Sequence, residues 1–577
     1  MPVAPDLPEK YYLDNFNFVL NHVAQLYADI INEDERTFYD DFMGLSESAQ
    51  CLYVRLLSRR GDWFRRDKIA YAEISDTDAA AAELQSQRFL EIYDLQSGGL
   101  PQEDDWLNLF TRQELATAIQ TSTGQKVTAS LRKKELLTRF EENSEQLVTG
   151  LPDTEIYCVY GEQELDTFRL LFFGNLYQDF TEFVLRDLGF YRYESYNLNA
   201  ASRWCHQRSD LEAHRLYYAL REEAGELKDH SKESLCRIAD SLPAAEEPTL
   251  SRRRDRFLVD IGRQIERLGY SDDALTIYER SMRHPARERR LRILVAQGQQ
   301  EDADELAFAM AKAPINEEEH QFLLSFVPRK MKHNHKLCQR LAERVSSPVE
   351  DVITMPAETR LSLGVERAVA AAFESEHPGD RLVYCENLLI PGMFGLIFWS
   401  AIYAEVPGAF FHPFQIRPSD LYEADFVTLR QKEFEVCWPA LESSDALLER
   451  ALETYQQKQG IANPFVQWAV LTEDLIRLSV ERIPALLWQG VFRFLLRDLR
   501  QHKAGLPDLI RFPANEGFEL LEVKGPGDTL QKNQKVWFAE FERLGIPARV
   551  IRVKDDPTAL SGAGLIDAEQ GEESPED

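Results

Sequence analysis

The hydrophobic positions of this chain follow two different periods in its two parts. Up to about residue 375, apolar residues recur every three or four positions, as in "YYLDNFNFVLNHVAQL", and this spacing predicts amphipathic helices. Further along, "LPDLIRF", "PANEG" and "FELLEVKG" read in order as a strand, a turn and a returning strand. We therefore expect a mainly helical protein with a C-terminal domain of mixed helix and strand.

Two segments of the helical middle resemble each other. "RLGYSDDALTIYERSM" and "AQGQQEDADELAFAMA" can be aligned so that Gly269 matches Gly298 and Ala274 matches Ala303. Small residues at such positions let paired helices approach closely. The offset is shorter than the roughly 34 residues of a tetratricopeptide repeat, so the pattern predicts a degenerate solenoid.

At 577 residues the chain exceeds what one hydrophobic core supports. The pattern divides it into four regions: an N-terminal helical region (1–145), a helical repeat domain (146–375), a mixed domain (376–555) and a tail (556–577). The tail is acidic without a basic residue, and we expect it to be disordered.

One uncharged stretch, Leu388–Ala404, imitates a membrane span. It lies at the lower limit of about 17 residues for a spanning helix, and Pro391, Gly392 and Gly395 interrupt its start. We favour a buried helix and keep a membrane helix as the alternative.

Composition narrows the class of protein. Seven scattered cysteines without a CxxC pair argue against a zinc ribbon or a disulfide framework and favour a reducing compartment. The N-terminus lacks the pattern of a signal peptide, so we expect a cytoplasmic protein, associated with the nucleoid if the source is bacterial. The net charge of −31 opposes nucleic-acid binding in general, although a local basic patch can lie on an acidic molecule.

Three basic runs are candidate DNA contacts. The first has Trp63 and Phe64 between its basic residues, and the second surrounds a pair of short helices that resembles a SAP-type DNA-binding motif. A solvated basic face is the alternative reading of each run. The candidates are Arg55, Arg59, Arg65 and Lys68, then Lys126, Arg132, Lys133 and Lys134, and in the repeat domain Arg253 and Arg256.

The C-terminal hairpin holds the most specific chemistry. If Pro513–Gly517 is the loop, Ile510 faces Leu520 and Asp508 faces Glu522 across the two strands, with Lys524 on the same face as Glu522. Two facing carboxylates repel unless a cation lies between them. Carboxylate oxygens suit Mg²⁺ or Mn²⁺, and Lys524 could stabilise a metal-bound water or the charge that grows during phosphodiester hydrolysis. An edge hairpin with solvent-facing charges is the alternative.

These residues resemble a known family. "GLPDLIRF" with "LLEVKGPGDTLQKNQKVWF" is similar to the VRR-NUC branch of the PD-(D/E)xK nuclease superfamily, and most similar to the Fanconi-anaemia-associated nucleases. The segments "SAQCLYVRLLSRRGDWFRRDKIAYAEI" and "GMFGLIFWSAIYAEVPGAFFHPFQIRPSDLY" resemble corresponding parts of that family. The resemblance implies a multidomain, mainly α protein with a C-terminal α/β restriction-endonuclease-like domain.

The resemblance also implies roles. Catalytic positions are Glu386, Asp508, Glu522, Lys524 and Gln534, and metal ligands are Glu386, Asp508, Glu522 and the Val523 carbonyl. It implies a structure-specific endonuclease and 5′–3′ exonuclease that acts on 5′ flaps and branched DNA in interstrand-crosslink repair. We expect a bacterial-type member without a ubiquitin-binding zinc finger. The alternative is a non-catalytic helical-repeat scaffold, which would have no reason to retain this residue set.

Overall fold

A computed structural model describes residues 9–556 apart from 96–99, 102–103, 125, 129–130, 142–143, 179–182, 184–190, 245 and 343–347. Contacts divide the chain into two compact units. The first takes residues up to Phe190 and Leu198–Tyr218, and the second takes Tyr191–Asn197 and the chain from Ala219 onward. All but one residue of the predicted acidic tail lies outside the described residues, and the other predicted domain borders stay predictions.

The first unit is helical with one small antiparallel sheet. Its strands are β1 (Trp63–Arg65), β2 (Leu90–Asp94) and β3 (Glu155–Val159), in the order β1-β3-β2. Its 3-10 turns are Arg66–Lys68, Asp104–Leu109 and Val148–Gly150. Its helices are Tyr11–Leu26, Glu33–Gly44, Glu47–Leu57, Thr77–Ser86, Arg112–Thr123, Lys133–Glu141, Ser144–Leu147 and Glu162–Phe173. The helix Arg208–Ala224 contains the border between the units.

Local sequence explains where these helices begin. Asn32 and Glu35 form a reciprocal capping box, and the Ser46 hydroxyl accepts a hydrogen bond from the Ala49 N–H. The predicted pair of short helices around the second basic run is confirmed, and the first of them ends at Gly124 with a φ of +69°.

The helical repeats lie in the second unit. Gly269 and Gly298 both follow a helix and have positive φ, and Ala274 and Ala303 are buried in the next helix, so the aligned positions have the same local structure. A 3-10 turn, Leu227–Asp229, precedes the first of these helices. The helices are Lys232–Ser241, Pro248–Arg267, Ser271–Glu279, Ala286–Ala296, Gln300–Lys312, Glu317–Lys330 and His335–Ala342.

A five-stranded mixed sheet follows in the same unit. It consists of β4 (Val349–Met355), β5 (Arg381–Tyr384), β6 (Leu509–Phe512), β7 (Glu519–Lys524) and β8 (Ala548–Asp555), in the order β4-β8-β7-β6-β5. β8 runs parallel to β4 and β7, and the other pairs are antiparallel. The helix Lys532–Leu544 connects β7 to β8 and so completes a parallel crossover.

The sheet extends beyond the predicted border at residue 376, because β4 precedes it in the chain. Burial alternates along this strand, but the more covered side includes the charged Asp351 while Val349 and Val352 are exposed, so its hydrophobic residues do not follow the alternation that would identify a strand. Its only paired strand lies at the far end of the described chain. Sequence periodicity therefore missed it.

The remaining helices of this unit include the segment that imitates a membrane span. Leu389–Ile397 and Trp399–Ile402 are buried almost throughout, as predicted, and a Cβ on Gly395 would come within 2.8 Å of Val466 Cγ2. No helix in the described ranges is both long and apolar enough to cross a bilayer. The others are Ala357–Leu363, Val365–Glu376, Phe426–Leu429, Gln431–Cys437, Trp438–Leu441 (3-10), Ser444–Lys458, Glu473–Arg482, Ala485–Leu495 and Leu499–His502.

A substitution at Gly262 would test how closely the repeat helices pack. A Cβ there would lie 2.7 Å from Cε1 of the buried Tyr278, whose hydroxyl is bonded to Glu266. We expect Gly262→Ala to lower the free energy of unfolding by about 1 to 2 kcal/mol, because overpacking outweighs the gain in helix propensity. Thermal unfolding measures this, with Gly44→Ala, which meets nothing within 4 Å, as the control. Equal stabilisation by both variants would contradict the packing.

Candidate functional site

The hairpin of β6 and β7 has the register that the sequence predicts. Leu509 pairs with Leu521 and Ile510 pairs with Leu520. Beyond the last pair, the Val523 N–H donates a hydrogen bond to Asp508 Oδ2 at 2.8 Å. This bond places the Asp508 carboxylate beside the C-terminal end of β7, the strand that also carries Glu522.

Glu522 is a buried carboxylate, with 1% of its surface exposed. Its Oε1 accepts hydrogen bonds from Lys524 Nζ at 2.8 Å and from Gln534 Nε2 at 2.6 Å. Its Oε2 is buried and has no hydrogen-bond partner among the residues that the structure describes. A buried acceptor without a donor costs free energy, so this oxygen is left for a group that the protein itself does not supply.

Gln534 is held by the cap of its own helix. Its Oε1 accepts the Gln531 N–H at 2.9 Å, which closes a capping box, and this leaves Nε2 to donate to Glu522. The resemblance implied that Gln534 lies near the metals, and the structure places its side chain in contact with Glu522. Its second role as a helix cap was missed.

Glu386 comes from a different part of the chain. The N–H of Cys385 donates to the backbone oxygen of Asp508 at 2.9 Å, which holds the segment after β5 against the hairpin. Glu386 Oε2 accepts a hydrogen bond from the Tyr384 hydroxyl at 2.5 Å, and Oε1 accepts one from Asn387 Nδ2 at 3.2 Å. Sequence reasoning identified Glu386 but missed both of its hydrogen-bond donors.

The protonation of the hairpin carboxyls reflects their burial. Burial, with smaller contributions from the charges of Glu386 and Glu366, raises the pKa of Asp508 to about 6, although the Val523 hydrogen bond opposes the shift. Burial and the neighbouring Asp508 raise the pKa of Glu522 to about 7, although Lys524 opposes the shift. Glu366, in the helix Val365–Glu376, was missed because no local pattern relates it to the hairpin.

The donor set fits a hard divalent cation. The carboxylates of Glu386, Asp508 and Glu522 outnumber the single Lys524, and the unpartnered Glu522 Oε2 adds a buried acceptor. Among the described side chains, no acidic, histidine or cysteine groups already form a cage of three. Lys524 donates to Glu522, and Tyr384 and Asn387 donate to Glu386, which leaves further lone pairs on each carboxylate for a cation.

The predicted DNA contacts of the first unit differ in their surroundings. Arg55 pairs with Glu73 at 2.6 Å, and Lys133 donates to the Asn108 carbonyl at 2.8 Å. Arg65 corrects the prediction: its guanidinium is buried and bonded to Asp67 and Glu114, so it is not available to a phosphate. The exposed members are Arg59, Lys68, Lys126, Arg132 and Lys134.

In the second unit, Arg253 and Arg256 lie on the helix Pro248–Arg267, and Arg256 is exposed. A polar cleft of about 400 Å³ lies nearby, with four arginines in its lining. They are Arg252, Arg283, Arg497 and Arg500. The cleft is of mixed charge, since Glu423, Asp425 and other acidic groups also line it.

A cluster of cations surrounds Tyr422 at the edge of this cleft. The guanidinium carbons of Arg417 and Arg500 lie 5.0 and 5.7 Å from its ring centre, and Lys503 Nζ lies 4.5 Å from it. Lys503 also donates to the Tyr422 hydroxyl at 3.0 Å. Sequence reasoning missed this cluster because its members come from separate segments and form no basic run.

Two known protein families match parts of this chain. The family described as "FAN1, HTH domain" matches residues 10–91, and the VRR-NUC domain family matches residues 442–555. The chain is 36% identical to the Fanconi-associated nuclease 1 homolog of Pseudomonas aeruginosa, over 96% of this chain and 98% of that protein. This chain belongs to the Fanconi-associated nuclease family.

Other relatives agree with this assignment. The chain is 25% identical to human Fanconi-associated nuclease 1 over 94% of its own length and 62% of the human protein. Its structure is similar to a crystal structure of paFAN1 bound to a 5′-flap DNA with a 2-nucleotide flap and a gap. The TM-score is 0.76 at 35% identity, and the match covers 96% of this chain and 100% of the other. Family membership confirms the nuclease resemblance and implies a divalent metal ion.

The raised pKa values predict how the metal-free protein responds to pH. Asp508 and Glu522 bind protons more tightly when folded than when unfolded, so the free energy of unfolding falls as pH rises from about 4 through about 7. Glu522→Gln removes one of the two contributions. Thermal unfolding in a chelator at about pH 5 and about pH 8 should show the variant gaining stability relative to the native chain as pH rises.

The exposed Glu481→Gln in the helix Glu473–Arg482 is the control for this measurement, with its side chain 73% exposed. Its stability difference from the native chain should not change across the same pH interval. A Glu522→Gln difference that is equally independent of pH would show that the folded protein does not retain the extra proton.

Proposed function

We propose that this chain is a divalent-metal-dependent nuclease that cuts 5′-flap and branched DNA. The observation that carries the proposal is the buried Glu522, whose Oε2 lacks a partner while Asp508, Lys524 and Gln534 surround the same end of β7. The solved relatives that bind 5′-flap DNA share this fold over nearly the whole chain. We infer action in DNA repair, including interstrand-crosslink repair, from the family and the flap substrate.

The residues of the site would have different roles in hydrolysis. Glu386, Asp508 and Glu522, with the Val523 carbonyl, would hold Mg²⁺ or Mn²⁺, because hard cations prefer oxygen ligands. The cation supplies Lewis acidity to the phosphodiester and the attacking water. Lys524 lies within hydrogen-bond distance of Glu522 and offers its ammonium group to charge that develops on the phosphate oxygens. Gln534 orients Glu522 through its fixed amide.

Substrate binding requires local positive charge on an acidic protein. The cations around Tyr422 lie in the segment 417–503, which leads directly into the hairpin, and they are suited to a phosphate backbone. Arg253 and Arg256, with the exposed cations of the first unit, add further candidate contacts. Such contacts position the DNA without reading its sequence, which suits an enzyme that recognises structure.

Cleavage of a labelled 5′-flap duplex with Mg²⁺ or Mn²⁺ tests the proposal. We expect cutting near the junction that requires the metal, and Asp508→Ala should reduce it about 100-fold or more because a ligand is lost. The variant should still bind the flap, since it removes a negative charge from the site.

The chain contains a matched control for this variant. Asp153 also follows a proline but is exposed and lies outside the hairpin, so Asp153→Ala should cut at the native rate. If the native chain binds the flap and neither metal supports cutting, the nuclease proposal is wrong and the scaffold reading replaces it.

The second basic run gives a separate prediction about binding. The exposed Arg132 and Lys134 are each expected to neutralise a phosphate, so Arg132→Gln with Lys134→Gln should reduce the salt dependence of flap binding. The slope of log K against log salt should fall by about 0.9 for each lost contact. Lys330→Gln with Lys332→Gln is the charge-matched control. An unchanged slope in the first pair would show that this run does not touch DNA.

A further inference from the structure

Both carboxylate oxygens of Glu386 accept hydrogen bonds from side chains that are close to it in sequence. The Tyr384 hydroxyl donates to Oε2 at 2.5 Å, and the Asn387 amide donates to Oε1 at 3.2 Å. Glu386 therefore has one donor on each oxygen, although it is only half-buried. An exposed carboxylate could obtain both bonds from water, so this arrangement is more than solvation requires.

Asn387 also contacts the chain that leads to Asp508. Its Oδ1 accepts the N–H of Leu506 at 3.3 Å, so the two ends of one amide connect Glu386 to the loop before Asp508. Its φ of +52° is the left-handed conformation, which asparagine tolerates better than most residues. Within the described ranges only one other non-glycine residue, Arg88, has positive φ.

Tyr384 has no need of this bond for its own burial. It is the last residue of β5, pairs with Leu509 of β6, and keeps 46% of its surface exposed. Water could solvate its hydroxyl in that position. The bond to Glu386 therefore does more to restrain the carboxylate than to stabilise the fold.

Restraint of this kind matters for a ligand. A glutamate loses side-chain entropy when its rotamer becomes fixed, and a carboxylate that is already held loses less of it on binding a cation. Hydrogen bonds to a ligating carboxylate typically change metal affinity by about 10- to 100-fold.

We propose that Tyr384 and Asn387 are positioning residues that together hold the Glu386 carboxylate for the metal and couple it to the loop of Asp508. The inference rests on the proposed function, since it takes Glu386 as a metal ligand. It adds two residues that act through Glu386 rather than on the substrate.

The test is the affinity of the metal-free full chain for Mn²⁺, measured by titration calorimetry without DNA. Tyr384→Phe removes one hydroxyl and should weaken Mn²⁺ binding about 10- to 100-fold. Asn387→Gly retains the left-handed backbone, loses both amide bonds and should weaken binding to a similar extent. In a Glu386→Gln background, Tyr384→Phe should have no further effect, because its target is gone.

Two controls match these variants. Tyr160→Phe removes a tyrosine–carboxylate bond of the same 2.5 Å length, to Glu91, from a side chain that is 43% exposed. Arg88→Gly relieves positive φ at a residue of the first unit. Neither control should change Mn²⁺ affinity, and the thermal unfolding of every variant shows whether it is folded.

The outcomes separate this inference from the function beneath it. If Glu386→Gln weakens Mn²⁺ binding and Tyr384→Phe leaves it at the native value, the positioning role is overturned and the metal site stands. The same conclusion follows if Tyr384→Phe weakens binding equally in the Glu386→Gln background. If Asp508→Ala weakens binding and Glu386→Gln does not, Glu386 is not a ligand and both assignments to it fail.

Discussion

The site depends on the burial of one carboxylate, that of Glu522, in the middle of a sheet. β7 is the central strand, with β8 parallel on one side and β6 antiparallel on the other, so Glu522 cannot turn to bulk water. A buried anion is costly unless it is compensated. Lys524 and Gln534 compensate one of its oxygens, and the other has no hydrogen-bond partner within the described part of the chain. The same burial raises its pKa and so links the chemistry of the site to its protonation.

The other residues of the site are brought to Glu522 by backbone contacts. The Val523 N–H fixes Asp508, the Cys385 N–H ties the segment of Glu386 to the Asp508 carbonyl, and the cap of the helix after β7 fixes Gln534. Each side chain is thus placed by an element whose own hydrogen bonds require that geometry. Side chains held in this way lose less freedom when they act together, which is what catalysis by positioning requires.

The charge of the chain shows why composition is a poor guide to binding. A net charge of −31 opposes contact with DNA, yet three cations gather around Tyr422. Conversely, some basic residues in apparent runs are already paired with acidic side chains, as Arg65 is with Asp67 and Glu114 and Arg55 is with Glu73. Folding therefore decides which cations remain available, because buried guanidinium groups must be paired.

The sequence by itself determined the hairpin register, the identity of Asp508, Glu522 and Lys524 as one group, and the buried nature of the apolar helix at 389–397. These follow from side-chain alternation and short loops, which relate residues that are close in sequence. The resemblance added Glu386 and Gln534: Gln534 contacts Glu522, and the residue before Glu386 is hydrogen-bonded to the backbone of Asp508.

Only the tertiary structure showed that β4 belongs to the sheet and that Arg65 is buried and paired with Asp67 and Glu114. It also showed that Tyr384 and Asn387 donate hydrogen bonds to Glu386 and that the charge of Glu366 acts on Asp508. Each depends on a contact between segments that no local periodicity relates, or on burial that a list of charges does not reveal. The spacing of apolar residues predicts which face of a helix or strand is buried. Which other element packs against that face depends on the packing of the whole domain. For that reason the carboxylates and the lysine of the hairpin could be predicted from the sequence. The hydrogen bonds from Tyr384 and Asn387 to Glu386 could not.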